Sequence, residues 1–177
     1  LDELGDLVDI VAECDDYGTQ QSQLISVNTY NQLISPRLRE LVRFVKNKHA
    51  EKRPANEPGY LFFHSCGNVR PYLPDFIDMG IDILNPVHVT ATGMDPAGLK
   101  RDFGRDLTFW GGGVDTQHVL PNGTSQQVRD DVRRNVEALM PGGGFVFATV
   151  HNIQAEVPPE NIIAMWETLR DVGAYSS

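Results

Sequence analysis

The sequence predicts an α/β protein built from repeated βα units around a parallel sheet, and three observations carry that expectation. Short runs rich in β-branched and aromatic residues alternate with segments of helical period. Each run ends in turn-forming or polar side chains and leads towards a helix with its own start and stop signals. The 177 residues, 41% of them hydrophobic, suffice for one sizeable core, so a single domain over residues 1–177 is expected.

The expected strands are Val8 to Cys14, Tyr60 to His64, Asp82 to Asn85, Leu107 to Trp110 and Gly144 to Val150. After the first, Ser35 is expected to cap a helix with Pro36 at its first position; Leu38, Leu41, Val42 and Val45 form its buried face, and it frays by Lys52. The next helix turns Phe76 and Ile77 inward and ends at Gly80. Another starts at Asp95-Pro96, buries Leu99 and Phe103, and stops at Gly104. A longer one opens near Thr124 or Ser125 and carries Val128, Val132, Val136 and Leu139 on one side until Pro141 and the following glycines end it. The last runs from Pro159 to about Val172 and buries Ile162, Met165, Trp166 and Leu169. No internal repeat or low-complexity tract interrupts the chain, and Glu51 to Gly59 reads as a polar surface loop. Such units suit a flavodoxin-like doubly wound sheet, complete at this length, or part of a (β/α)₈ barrel, which takes about 250 residues. Period alone leaves both open.

Charge and cysteine content exclude several classes. With 15 basic against 24 acidic side chains, the formal charge of -9 repels a phosphate backbone, so nucleic acid is not an expected partner. Two cysteines, Cys14 and Cys66, cannot form the dense disulfide framework of a small secreted protein, and a reducing, cytoplasmic setting is expected. Apolar runs such as Gly144 to Val150 fall far short of the roughly 20 residues of a membrane helix, and no signal sequence opens the chain. A soluble protein without a membrane partner is therefore expected. Leu1, rather than Met, leads us to expect a chain that was cut or processed.

In either architecture ligands bind beyond the carboxyl ends of the strands. The residues there are Asp15 and Asp16, then His64 and Cys66, then Asn85 and His88, then Asp115, Thr116 and Gln117, and finally His151, Asn152 and Gln154. Loops are polar in general, but five such ends in a row point to a site. His64 and Cys66 are the most informative, because side chains two apart on an extended segment point the same way and can share a metal ion. Imidazole with thiolate suits zinc, which takes three protein ligands in a catalytic site. His151, at the end of the last strand, is the natural third donor; the alternative is a buried histidine beside an inert cysteine. His49, His88 and His118 are expected at surface or supporting positions.

The runs Gly111-Gly112-Gly113 and Gly142-Gly143-Gly144 match no phosphate-loop pattern and read as backbone devices. The first exposes backbone next to Asp115, which is therefore a candidate functional carboxylate. Its structural alternative is an Asx turn with Thr116 and Gln117.

Taken together, His64-Ser65-Cys66-Gly67-Asn68-Val69, Phe76-Ile77-Asp78-Met79-Gly80-Ile81-Asp82, Gly112-Gly113-Val114-Asp115, Gly144-Phe145-Val146 and Pro159-Glu160-Asn161-Ile162 resemble a known family. In order and over nearly the whole chain, they are similar to the C-terminal half of the uroporphyrinogen decarboxylase family, which includes cobalamin-dependent methyltransferases acting with coenzyme M and related thiols. The resemblance implies a (β/α)₈ TIM barrel of which this chain covers the five C-terminal βα units, strands four to eight. It implies zinc held by His64 and Cys66 with a third ligand after the last strand, where this chain has His151 in place of the methyltransferases' cysteine; the decarboxylases also carry a histidine there, so His151 is either a zinc ligand in a changed set or a substrate-contacting histidine. The decarboxylase branch lacks the His-x-Cys-Gly signature, and its essential aspartate and arginines lie mainly in the N-terminal part. The segments Asp15-Asp16-Tyr17-Gly18-Thr19-Gln20 and Gly113-Val114-Asp115-Thr116-Gln117 look like a subgroup whose reactions are mostly unassigned.

The leading expectation is methyl transfer between a corrinoid (cobalamin) carried by a partner protein and a small thiol or other small molecule. His64, Cys66 and His151 would hold zinc, Asp16 and Asp115 would be catalytic, Asp16 as a fourth ligand or as the orienter of an imidazole, and Asn85, Gln117, Asn152 and Gln154 would contact substrate. A second expectation is a metal-free decarboxylase or lyase with His151 and Asp115 as acid and base. A third is a non-catalytic partial barrel completed by another chain or a second copy, because open strand edges invite pairing.

Overall fold

A computed structural model describes residues 1–3 and 5–175. Five parallel strands lie in the order of the chain: β1 (Ile10–Cys14), β2 (Tyr60–His64), β3 (Ile83–Asn85), β4 (Thr108–Trp110) and β5 (Phe145–Val146). All neighbours pair in parallel, and β1 and β5 form the two edges. A consecutive strand order with helices on one side is that of a barrel wall; a doubly wound sheet reverses its order and covers both faces. The chain is five consecutive units of a (β/α)₈ barrel.

Registry assigns the two faces. The pairs Ile10↔Tyr60, Ala12↔Phe62 and Cys14↔His64, continued by Phe62↔Ile83, His64↔Asn85, Ile83↔Thr108 and Trp110↔Val146, set one row of side chains on the concave side. Their alternates Leu61, Phe63, Leu84, Phe109 and Phe145 are buried against the helices. Burying a side chain such as Phe63 or Phe109 contributes ~1.5–3 kcal/mol. The concave face is apolar and more open, with Ile10, Tyr60 and Val146 exposed and Phe62 edge-on to Trp110 at 5.5 Å.

The helices are α1 (Val27–Thr29), α2 (Ser35–Lys52), α3 (Leu73–Met79), α4 (Pro96–Phe103), α5 (Val119–Asn122), α6 (Ser125–Leu139) and α7 (Pro159–Val172). Asp95 caps α4 by accepting from the Gly98 N–H at 2.7 Å, and Thr124 forms a reciprocal capping box with Gln127 on α6. The expected faces of α3, α4 and α6 are those observed: Phe76, Leu99, Val128, Val132, Val136 and Leu139 are buried. No helix among the described residues is long and apolar enough to cross a membrane.

Several expectations need correction. Ser35 does not cap α2: a wide turn over Tyr30–Ile34 runs straight into the helix, and Ser26 caps the whole stretch by accepting from the Thr29 N–H at 3.0 Å. Leu41 and Trp166, expected to be buried, are exposed. They belong to α2 and α7, whose apolar arcs are wider than the strip that β2 and α3, or α5 and α6, cover. The last strand is two residues long rather than seven. Left-handed φ at Gly111 and Gly112 breaks the regular ladder, although Gly111 N–H still donates to Val146 O at 3.0 Å and Gly113 N–H to Ala148 O at 2.8 Å.

Candidate functional site

The site begins with two loops pressed backbone to backbone at the carboxyl ends of β1 and β2. A Cβ on Gly18 would lie 2.6 Å from Cys66 O, and one on Gly67, whose φ is +81°, would lie 2.5 Å from Gly18 C. Only glycine permits that approach. Three hydrogen bonds hold it: Tyr17 N–H to Ser65 Oγ at 3.0 Å, Asn68 N–H to Thr19 O at 2.7 Å and Cys66 N–H to Asp16 Oδ1 at 2.7 Å. Tyr17 anchors the first loop by entering the core beside Phe63, Tyr30 and Tyr72. The clamp therefore carries Asp16 to Cys66 across 50 residues of sequence.

One ligand atom each from Asp16, His64 and Cys66 lies within 4.8 Å of the other two. His64 Nε2 is 3.5 Å from Cys66 Sγ and 3.9 Å from Asp16 Oδ1. Tetrahedral zinc with ordinary bond lengths separates nitrogen from sulfur by about 3.6 Å and nitrogen from oxygen by about 3.4 Å. The nitrogen–sulfur distance matches such an ion, and the nitrogen–oxygen distance is longer by about half an ångström.

The tautomer of His64 follows from its neighbours. Asn85 Nδ2 donates to Trp110 O at 2.8 Å, which turns Asn85 Oδ1 towards His64 Nδ1 at 2.6 Å. Nδ1 must then carry the hydrogen, and Nε2 presents its lone pair to the cluster. Orientation of a metal-binding imidazole through its other nitrogen is the usual support for such a site. Burial pushes the Cys66 thiol up to about 11, with the carboxylate of Asp16 and then Cys14 adding to the rise. In the absence of a cation the thiol stays protonated at neutral pH.

His151 lies outside the donor cluster. It is exposed and lines the adjoining cavity of about 340 Å³ with Cys66, His88, Thr116, Gln117, Val150, Asn152 and Gln154. Asp16, rather than His151, is the side chain brought beside His64 and Cys66, because the glycine clamp joins the loops that carry Asp16 and Cys66. Asn85, expected to contact substrate, is instead engaged by His64 and Trp110. Asp115 is buried, and its Oδ1 accepts from Gln117 N–H at 2.8 Å and His118 N–H at 3.3 Å. It takes the Asx-turn role and is not among the residues that line the cavity with His151. Asp15 stays at the surface, and its N–H donates to His64 O at 3.0 Å.

Residues that sequence reasoning passed over support these loops. Asp131 accepts from Asp115 N–H at 2.8 Å and from Asn135 Nδ2 at 3.3 Å, and it pairs with Arg134. Burial pushes the Asp131 carboxyl above its ordinary range, against the lowering effect of the Asp115 N–H and Arg134. Two polar residues four apart beside the apolar stripe of α6 were the available signal. Asn161 donates to Leu120 O at 3.0 Å and Gly123 O at 2.8 Å, pinning the start of α7. His88 is buried rather than at the surface, and so is His49, neither of whose ring nitrogens has a partner.

A parallel wall of barrel strands with a nitrogen, sulfur and oxygen donor cluster at its carboxyl ends defines a barrel-type α/β protein with a candidate metal site. The sequence model of the uroporphyrinogen decarboxylase (URO-D) family matches residues 6–172, and the chain belongs to that family. Among solved structures it is similar to a methyltransferase from Methanosarcina mazei, with 22% sequence identity and a TM-score of 0.67. The match covers 94% of this chain and 43% of that one, so the chain spans less than half the length of that relative. No curated protein matches the sequence.

Proposed function

We propose that the chain is the metal-bearing part of a zinc-dependent methyltransferase that moves a methyl group between a corrinoid, carried by a partner protein, and a small thiol or other small molecule. The observation that carries the reading is the cluster of Asp16, His64 and Cys66, in which the hydrogen bond from His64 Nδ1 to Asn85 leaves Nε2 free to ligate. Membership of a family of enzymes and likeness to a protein named as a methyltransferase support it. Bound zinc would supply stabilisation of a thiolate at neutral pH. His64 Nε2, Cys66 Sγ and an Asp16 oxygen would hold it, Asn85 would orient the imidazole, and Gln117, Asn152, Gln154 and His151 would face the substrate in the adjoining cavity.

The same reading includes a completing N-terminal half, from another chain or a longer one. Support comes from the open edges of β1 and β5, from the exposed Ile10, Tyr60 and Val146, and from Leu33, Leu41 and Phe44 on or just before α2 and Ile163 and Trp166 on α7. Elemental analysis of the purified chain tests the metal assignment. One zinc per chain is expected in the wild type and none in Cys66→Ser; full zinc in Cys66→Ser, with the fold intact by circular dichroism, refutes it.

A further inference from the structure

The wall of the cavity beside the donor cluster has a uniform chemistry. None of its lining residues is Lys, Arg, Asp or Glu. Arg70, the basic side chain of the loop after β2, is turned away to Asp102 and to Gly93 O at 3.2 Å. What the wall offers beside Cys66 and Val150 is carboxamide, imidazole and the hydroxyl of Thr116.

One of those carboxamides is held in a defined orientation. Gln117 Oε1 accepts from Thr90 Oγ1 at 3.2 Å and lies 3.3 Å from Nε2 of the buried His88. With both neighbours on the oxygen, the two amide hydrogens are left for a ligand. The backbone is fixed as well, since Gln117 N–H donates to the buried Asp115. Gln117 is thus a neutral, pre-set donor at the edge of the site.

We propose that this wall is a subsite for uncharged polar substrates, with Gln117 as the specificity-determining donor and His88 and Thr90 as the residues that position it. The inference rests on the metal reading and adds a substrate class to it. A sulfonate, carboxylate or phosphate entering here loses hydration and meets no Lys or Arg on this part of the wall, among the described residues. A divalent ion held by one thiolate and one carboxylate has no net charge left to attract an anion. A hydroxyl, ether or carbonyl oxygen needs only the one donor that Gln117 supplies.

Cobalt(II) loaded into the purified chain reports thiol binding through its visible spectrum, without turnover. Titration with 2-mercaptoethanol and 2-mercaptoethanesulfonate, which share a thiol and differ in the tail, is expected to show at least about tenfold tighter binding of the alcohol. Gln117→Leu and His88→Leu are each expected to weaken the alcohol and narrow the gap. His88→Gln, which keeps an N–H donor near the position of Nε2, is expected to restore it, an outcome that general loss of packing does not produce. Equal or tighter binding of the sulfonate overturns the substrate class and leaves the metal centre standing. A preference unchanged in Gln117→Leu overturns the role of Gln117. A wild-type cobalt spectrum that neither thiol alters overturns the metal reading and this inference together.

Discussion

Replacing Gly67 with alanine tests whether the clamp between the first two loops builds the site. Two costs combine there. The backbone sits at φ +81°, where an L side chain costs about 1–2 kcal/mol. The added Cβ would also meet Gly18 C at 2.5 Å and Thr19 O at 2.6 Å, both backbone atoms that cannot rotate away, and overpacking of that kind costs about 1–3 kcal/mol. The expected destabilisation is about 2–5 kcal/mol. Gly142→Ala is the matched control, because Gly142 has φ +78° and nothing within 4 Å of its virtual Cβ. Only the conformational cost applies there, about 1–2 kcal/mol. Urea denaturation followed by circular dichroism gives the difference, and each kcal/mol lowers Tm by about 2–4 °C for a domain of this size. Gly67→Ala is also expected to lose zinc affinity as Asp16 moves from Cys66, whereas Gly142→Ala keeps it. If the two variants agree within about 0.5 kcal/mol and bind zinc alike, the clamp does not assemble the site.

Three further outcomes follow from the geometry. Asn85→Leu removes the acceptor of His64 Nδ1 and leaves Trp110 O without its donor, so zinc affinity should fall about 10–100-fold in competition with a chromophoric chelator; an unchanged affinity removes Asn85 from the site. In zinc-free protein Cys66 should resist iodoacetamide at pH 8 and gain reactivity as pH rises towards about 11, because only the thiolate attacks; peptide mass spectrometry that finds it alkylated as fast as a free thiol contradicts the burial argument. His49 is buried without ring partners, and burial lowers its pKa from the ordinary 6.5. The unfolded chain then binds the proton first, so stability is full above about pH 6.5 and is lost as pH falls through the folded value. Urea midpoints from pH 7.5 to 5.5 should show that fall in the wild type and a shallower one in His49→Phe; identical slopes would exclude His49 as its source.

Local rules made most of the framework legible. The start of α4 at Asp95-Pro96, the Thr124 and Gln127 box on α6 and the buried stripe at Val128, Val132, Val136 and Leu139 are all set by residues within a turn or two of one another. Where the expectation failed, a distant neighbour decided. Leu41 and Trp166 carry the right period for burial, but whether a helix face is covered depends on which strand or helix lies opposite, and these two are left exposed. Ser35 lost its capping role because the chain before it was already helical, owing to Ser26 and the turn at Tyr30–Ile34.

The site divides in the same way. His64 and Cys66 were readable because they lie two apart on one strand and its extension, a spacing fixed by backbone geometry. The same local logic offered Asp115 a turn role, which the structure gives it. From the sequence, Asp16 and His151 were equally placed to lie beside His64 and Cys66, because both follow strands and both have suitable chemistry. That choice depends on the fit of Gly18 against Gly67, a steric contact between loops that only the folded chain brings together. Sequence by itself determined the order of βα units, the caps of α4 and α6 and the pairing of His64 with Cys66, since these rest on short-range hydrogen bonds and periodicity. Tertiary structure alone decided which carboxylate lies beside His64 and Cys66, the tautomer of His64 and the side chains that line the cavity next to it, since each depends on distances between residues that the chain keeps far apart.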